Sequence, residues 1–187
     1  MDVFYYNISW IAFNLYLALL PVLFAALFFA FRNKILKGIF FILWILYLPN
    51  SIYVITDTLH MLEQWDIVDM AGKLVLLIQY FILEFVGLAA FIFALYPFER
   101  LLRKSRRIKR HTTTLIVVIN FLIGLGMVFG RVDRLNSWDV FTAPQAVVVS
   151  IIHVFTTVEL LGLAILFGLF ANLVYFLFRD LAKHYLK

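Results

Sequence analysis

The residues best suited to chemistry fall in two short blocks and a few isolated positions. The first block reads YLPNSIYVITDTLHMLEQWD, from Tyr47 to Asp66. Within it Tyr53, Asp57, His60 and Gln64 follow one another at spacings of four, three and four, which on a single helix puts them on one face. Asp57 and His60 form an acid-x-x-His pair one turn apart. That geometry lets one helix offer two ligands to a divalent metal such as zinc, or a base together with its orienting carboxylate. An interfacial hydrogen bond is the plainer reading of the same pair. Pro49 removes a backbone donor, and Asn50 or Ser51 after it can cap a new turn, so a kink or break is expected near residue 49.

The second block, GRVDRLNSWDVFTAP, sets Arg131, Asp133, Arg134, Asn136, Ser137, Trp138 and Asp139 close together. Solvated loops favour smaller turn formers, so this density of Arg, Asn, Trp and Asp points to a pinned loop with charged hydrogen bonds. The guanidiniums of Arg131 and Arg134 suit a phosphate group. Trp65 and Trp138 suit the headgroup level of a bilayer, where the indole keeps one wet edge.

Three ionisable residues stand inside apolar runs: Glu84, His153 and Glu159. A charge within a bilayer costs at least about 2.5–3.5 kcal/mol, so such groups usually face a bundle interior or a water-filled cavity. Helical spacing sets Glu84 on a face with Tyr80 and Gly87, and Glu159 on one with Thr156 and Gly162. The expected partners are a hydroxyl or a closely approaching helix. A protonated carboxyl joining two helices is the simpler alternative, and Asn120 reads the same way. Gly126 with Gly130, and Ala164 with Gly168, are small-residue seams for close packing within the chain or between copies.

The elements that position these groups follow from composition. Of 187 residues, 65% are hydrophobic and 14% charged, against about 45–50% and about 25% in soluble domains. Too little polar surface exists to coat a water-soluble ball, which excludes disorder, a disulfide scaffold and an independent soluble catalytic domain. With no cysteine, thiolate chemistry is excluded as well.

A hydrocarbon core of about 30 Å needs roughly 20 apolar helical residues. Four stretches approach or exceed that length, at Ile8 to Phe31, Gly38 to Ile55, Leu74 to Phe98 and Thr113 to Phe129, and a longer one runs from Pro144 to Phe178. The first is read as a retained span, because no basic segment precedes it. The last is too long for one straight crossing. Its first part, to about Val158, is expected to be an interfacial or re-entrant helix or the outer arm of a kinked one, with Leu160 to Phe178 as the span. Unbroken apolar runs without period-2 alternation exclude a strand barrel. The expected fold is an all-α membrane protein, a single five-span helical bundle whose second span is kinked and whose last is preceded by a short extra helix.

All but three of the 16 Lys and Arg fall between the first and second spans, between the third and fourth, or in the tail. Five spans alternate correctly with those segments inside, which puts the N-terminus outside and the C-terminus inside. Lys73, Arg131 and Arg134 are left outside among Asp2, Asp57, Glu63, Asp66, Asp69, Asp133 and Asp139, so the outer face is net acidic. The middle loop, ERLLRKSRRIKRH, is read as attraction to anionic lipids rather than nucleic acid. No nucleic-acid partner is expected; a second copy or another membrane protein is compatible with the sequence.

The two blocks together resemble the signature segments of a bacterial integral membrane family, domain of unknown function 1361. The matching positions are Pro49, Asn50, Tyr53, Thr56, Asp57 and His60, then Gly130, Arg131, Arg134, Asn136, Ser137, Trp138 and Asp139. Ser51 departs from the Ala more usual there. The resemblance implies a multi-pass protein of the bacterial cytoplasmic membrane and a functional association of the two blocks, with no activity or cofactor attached. The expected site is an outward-facing polar pocket drawing on Asn50, Tyr53, Asp57, His60, Asp66, Arg131, Arg134, Asn136, Trp138 and Asp139, floored by Glu84, His153 or Glu159. It would serve an accessory or ligand-binding protein of the cell envelope, taking a lipid headgroup or an envelope precursor. One alternative is a small transporter or its substrate-capturing subunit; another is a metal-dependent enzyme acting on a lipid-linked substrate, with Asp57 and His60 as ligands. No His-Glu-x-x-His or Gly-x-Ser-x-Gly motif supports the enzyme.

Overall fold

A computed structural model describes residues 3–186; Asp2 and Lys187, both counted in the charge pattern, lie outside the described residues. Every element among those described is helical, and five helical segments are long and apolar enough to cross a membrane: Tyr5–Ala30, Lys34–Trp65, Met70–Lys104, Lys109–Arg131 and Val158–Tyr185. The protein is an integral membrane protein of the expected all-α, five-span class. Its surface fits that solvent. Phe81 and Phe85, stacked one turn apart, are 68% and 64% exposed, an arrangement that favours lipid over water.

The chain divides into two compact units, Met1–Phe91 and Ile92–Lys187. In the first, α1 (Val3–Ala30) packs along α2 (Lys34–Tyr53), whose start is capped by Asn33 Oδ1 accepting from the Ile35 and Leu36 amides at 2.8 and 3.3 Å. A 3₁₀ turn, Val54–Asp57, leads into the short α3 (Thr58–Trp65). Residues 70–91 of α4 (Met70–Lys104) complete the unit. Ile11, Ala18, Val54 and Leu83 form its core beside Trp10 and Leu15.

The break in the second span lies one turn later than the sequence suggests. Helix α2 is continuous through Pro49, and the change to 3₁₀ geometry comes at Val54. Neither Asn50 nor Ser51 caps a new helix. Asn50 Nδ2 donates to the Tyr47 carbonyl at 3.1 Å, and Ser51 Oγ crosses to the Ala18 carbonyl of α1 at 2.8 Å. Proline is tolerated in a lipid-buried helix when such side chains and neighbouring helices take up the freed groups. The 3₁₀ turn instead coincides with Thr56 and Thr58, whose hydroxyls donate to the Tyr53 and Ile55 carbonyls at 2.8 and 2.9 Å and so compete with the helical ladder.

In the second unit, residues 92–104 of α4 are followed by a 3₁₀ turn, Lys109–His111, and α5 (Thr112–Arg131). A single turn, α6 (Asp139–Thr142), precedes α7 (Pro144–Thr156) and α8 (Val158–Tyr185). Pro144 starts α7 at a position where its missing N–H costs nothing. Extended backbone at Thr157, φ −106° and ψ 108°, separates α7 from α8, which supplies the short extra helix expected before the last span. Helices α5 and α8 meet at glycines. A Cβ added to Gly124 would stand 2.4 Å from the Ala164 carbonyl oxygen and 2.5 Å from Gly168 N. The Ala164/Gly168 seam is therefore used within the chain.

Candidate functional site

Where the start of α1 meets α3 and the first turns of α4, the first unit holds a network of uncharged amides at its centre. Asn7 is fully buried, donates Nδ2 to Gln64 Oε1 at 2.8 Å and to Gln79 Oε1 at 3.3 Å, and accepts from Trp10 Nε1 at 3.1 Å. Helices α1, α3 and α4 are thereby joined through side chains far apart in sequence. Trp10 also lies against His60 and Tyr80, with ring centroids 6.0 and 5.7 Å away. Asn7, Gln79 and Trp10 carry no signal in the sequence, because single amides and an indole in apolar runs announce neither a partner nor a depth.

The residues expected on one face beside this network do not share one environment. The 3₁₀ turn between Tyr53 and Thr58 changes the angular step, so the four-three-four spacing no longer describes one helical face. Asp57 is 3% exposed, whereas the His60 side chain is 43% exposed and its Nδ1 lies 3.1 Å from Glu63 Oε2. Asn50 and Tyr53 are half-buried, and Asp66 is exposed beyond the end of α3. Asp69 accepts from the Gly72 amide at 2.9 Å, next to the start of α4. Among the described residues no group of three or more His, Asp or Glu side chains is placed to hold a metal ion.

Glu84 is half-buried and finds the hydroxyl its position calls for, but from Thr58 rather than Tyr80. One turn further on, Gly87 provides the expected close approach: a Cβ there would stand 2.2 Å from Val54 Cγ2 and 2.6 Å from the Ser51 carbonyl oxygen.

The second unit presents its polar groups differently. Asp133, in the loop after α5, accepts a hydrogen bond from Ser150 Oγ and lies 3.0 Å, through Oδ1, from His153 Nδ1. Ser150 is buried, whereas the His153 side chain is 48% exposed, so this histidine is an outward group and not an interior one. The pair fixes the loop to α7. The next residue, Arg134, takes φ +55°, a left-handed conformation that a non-glycine residue adopts at a cost of about 1–2 kcal/mol.

Asp139 closes the other end of the loop. Its Oδ2 accepts from the Asn136 amide at 2.7 Å and its Oδ1 from Thr142 Oγ1 at 3.0 Å. The Asn136 amide holds this carboxyl below the ordinary aspartate value against an opposing effect of burial, and the side chains of Thr142 and Asn136 lower it further. Asp139 and Asn136 are thus spent on the loop's own shape, with Trp138 half-buried at the start of α6. Arg131 and Arg134 are not spent: among the described residues neither guanidinium makes a hydrogen bond, ion pair or ring contact.

Glu159 departs from expectation. It is exposed, in the first turn of α8, where a carboxylate complements the helix dipole. Thr156 belongs to α7 and returns its hydroxyl to the Ile152 carbonyl at 2.8 Å, and a Cβ on Gly162 would meet nothing within 4 Å. The intervening break at Thr157 dissolves the predicted Glu159 face.

The deeply buried carboxyl of the second unit is one the sequence reading passed over, Glu99. Arg103 and Arg179 approach its Oε1 at 2.6 and 3.2 Å, and the Tyr175 hydroxyl donates a hydrogen bond to Oε2. Its signal was present as Glu99-x-x-x-Arg103, the stabilising order for an i, i+4 pair. Counting it as one inner-loop charge among many concealed it.

A family model described as "Protein of unknown function (DUF1361)" matches residues 13–174. No curated protein and no solved structure matches the chain.

Proposed function

We propose, starting from a chain that belongs to the DUF1361 family, that this integral membrane protein is a ligand-binding protein of the cell envelope that captures an anionic, phosphate-bearing headgroup. The observation that carries the reading is the state of loop 131–139. Two guanidiniums stand without partners among the described residues, while every carboxylate between and after them is engaged elsewhere. Arginine offers phosphate a planar fork of donors, and charge-assisted bonds of this kind are about twice as strong as neutral ones. A loop built only for shape would place glycine at the left-handed position; here an arginine is held there by its neighbours. Asp133 and Asp139 act as positioning residues. Each turns its oxygens to donors of the loop and α7 and not to the guanidiniums, and each fixes the backbone that carries the arginines.

The same reading places the protein in a bacterial cytoplasmic membrane with the N-terminus and this loop outside, on the support of the Lys and Arg gathered in alternate loops and the tail. The exposed Arg106, Arg107, Lys109 and Arg110 then contact anionic lipids on the inner side, at about 1 kcal/mol each.

The test is a titration of the protein, purified in neutral detergent, with short-chain phosphatidic acid and separately with inorganic phosphate. Saturable binding is expected for the lipid, weakened about tenfold or more by Arg131→Ala or Arg134→Ala. Equal binding in the wild type and both variants overturns the reading. Binding of inorganic phosphate with the same dependence identifies the phosphate group, rather than the lipid, as what is recognised.

A further inference from the structure

The second unit joins a carboxylate–imidazole pair to the loop that carries the two arginines. His153 Nδ1 lies 3.0 Å from Asp133 Oδ1, and the other oxygen of that carboxylate is taken by the Ser150 hydroxyl. Ser150 is buried on α7, the Asp133 side chain is 19% exposed and the His153 side chain 48% exposed. A carboxylate steadied from within thus holds an imidazole that water and ligands can reach. Among the described residues Asp133 is the one partner of that ring. In its neutral form an imidazole held at Nδ1 by a carboxylate presents Nε2 to take a proton, the construction of a general base.

Arg131 and Arg134 stand two and one positions from Asp133 in sequence, yet both of its oxygens turn to α7. Consecutive Cα atoms are about 3.8 Å apart, so both arginines spring from backbone immediately beside the carboxylate that holds His153. Donors for an anion and a base for water therefore belong to one loop. The bond they can break follows from proton accounting. Asp133 and Asp139 already serve as acceptors, which leaves His153 to move a proton. In an in-line displacement the attacking and leaving oxygens lie on opposite sides of phosphorus, so one imidazole cannot assist both. A departing alkoxide needs an acid, whereas a phosphate departs as a stable anion without one. Two guanidiniums suit the two phosphates of such a substrate.

We propose, building on phosphate capture by Arg131 and Arg134, that this site hydrolyses the phosphoanhydride bond of a diphosphate with His153 as general base. A water oxygen bonds to the terminal phosphorus as its proton passes to His153 Nε2. The bond from that phosphorus to the bridging oxygen breaks, and its electron pair leaves with the inner phosphate. The products are a monophosphate and inorganic phosphate, which together hold the atoms of the diphosphate and one water. His153 then returns its proton to solvent. The guanidiniums meet the charge that grows on the departing phosphate, and Asp133 is a positioning residue that fixes the imidazole through Nδ1.

The test measures phosphate release from farnesyl diphosphate, and separately from inorganic pyrophosphate, by the protein in neutral detergent. Binding of short-chain phosphatidic acid, which has no anhydride bond to cut, is measured beside it. Wild type is expected to release phosphate. His153→Gln should lose release about 100-fold or more while binding phosphatidic acid as the wild type does. Asp133→Asn should lower kcat far more than it changes KM, a split that a merely structural role would not give. Should His153→Gln fail to fold, that split decides alone. Release from farnesyl diphosphate alone identifies a lipid-linked substrate; release from pyrophosphate, as well or instead, identifies the diphosphate group itself. Phosphatidic acid bound without any phosphate release, or release equal in wild type and both variants, overturns the hydrolase and leaves headgroup capture standing. No binding of phosphatidic acid overturns headgroup capture and the hydrolase with it.

Discussion

The two units use polar side chains in opposite ways. In the first, Asn7, Gln64, Gln79 and Trp10 bond to one another in a largely buried network. In the second, the carboxylates are tied to their own loop or to α7, and two arginines are left over. A polar group that has already found its partners holds helices together. One that is held in place but left without a partner is available to a ligand. The contrast therefore separates residues whose loss unfolds the protein from residues whose loss leaves it folded and unable to bind.

That separation can be broken in order of expected effect. Gly124→Ala should cost the most, about 1–3 kcal/mol, because backbone atoms of Ala164 and Gly168 block the added methyl. Gly87→Ala tests the equivalent contact of the first unit against Ser51 and Val54, and lower melting temperatures of both variants would be the check. Next comes Asn7→Leu, which deprives Gln64, Gln79 and Trp10 of a shared partner and should destabilise by about 1–2 kcal/mol. An unchanged melting temperature would show that the amide network is not what joins α1, α3 and α4. In the second unit Arg134→Gly should act in the opposite sense, neutral or stabilising by up to about 1 kcal/mol, since glycine accepts φ +55° without strain. Loss of phosphate binding together with retained stability is the signature of a ligand residue.

The smallest effect concerns Asp139. Its carboxyl lies below the ordinary aspartate value in the folded loop, so its contribution is present at neutral pH and fades as pH falls through the folded value. The difference in melting temperature between wild type and Asp139→Asn should shrink as pH drops below about 4. A constant difference would place the origin of any destabilisation elsewhere.

Element number and type were legible because lipid demands long apolar runs, and the break before the last span was visible as excess length. The position of the other break was not. Proline marks where a helix lacks a donor, but Ser51 and Asn50 engage carbonyls beside Pro49, and the departure comes where Thr56 and Thr58 bond back to theirs. Asp57 and His60 were read as one face because sequence spacing assumes a uniform helix, and four residues of 3₁₀ turn defeat that assumption. The arginine loop was legible as a block, although composition alone could not tell Arg131 and Arg134, which remain unspent, from Asn136 and Asp139, which do not. Glu99 was missed for the converse reason, since a lone acid in a basic loop looks like surface until Tyr175 and Arg179 arrive from α8.

The central claim is tested most directly by one binding series on intact protein in nanodiscs of neutral lipid. Short-chain phosphatidic acid is titrated into wild type, the double variant Arg131→Ala/Arg134→Ala, and Glu84→Gln. Binding lost in the double variant and kept in Glu84→Gln, with all three folded, is the predicted result. Binding kept in the double variant would contradict the account.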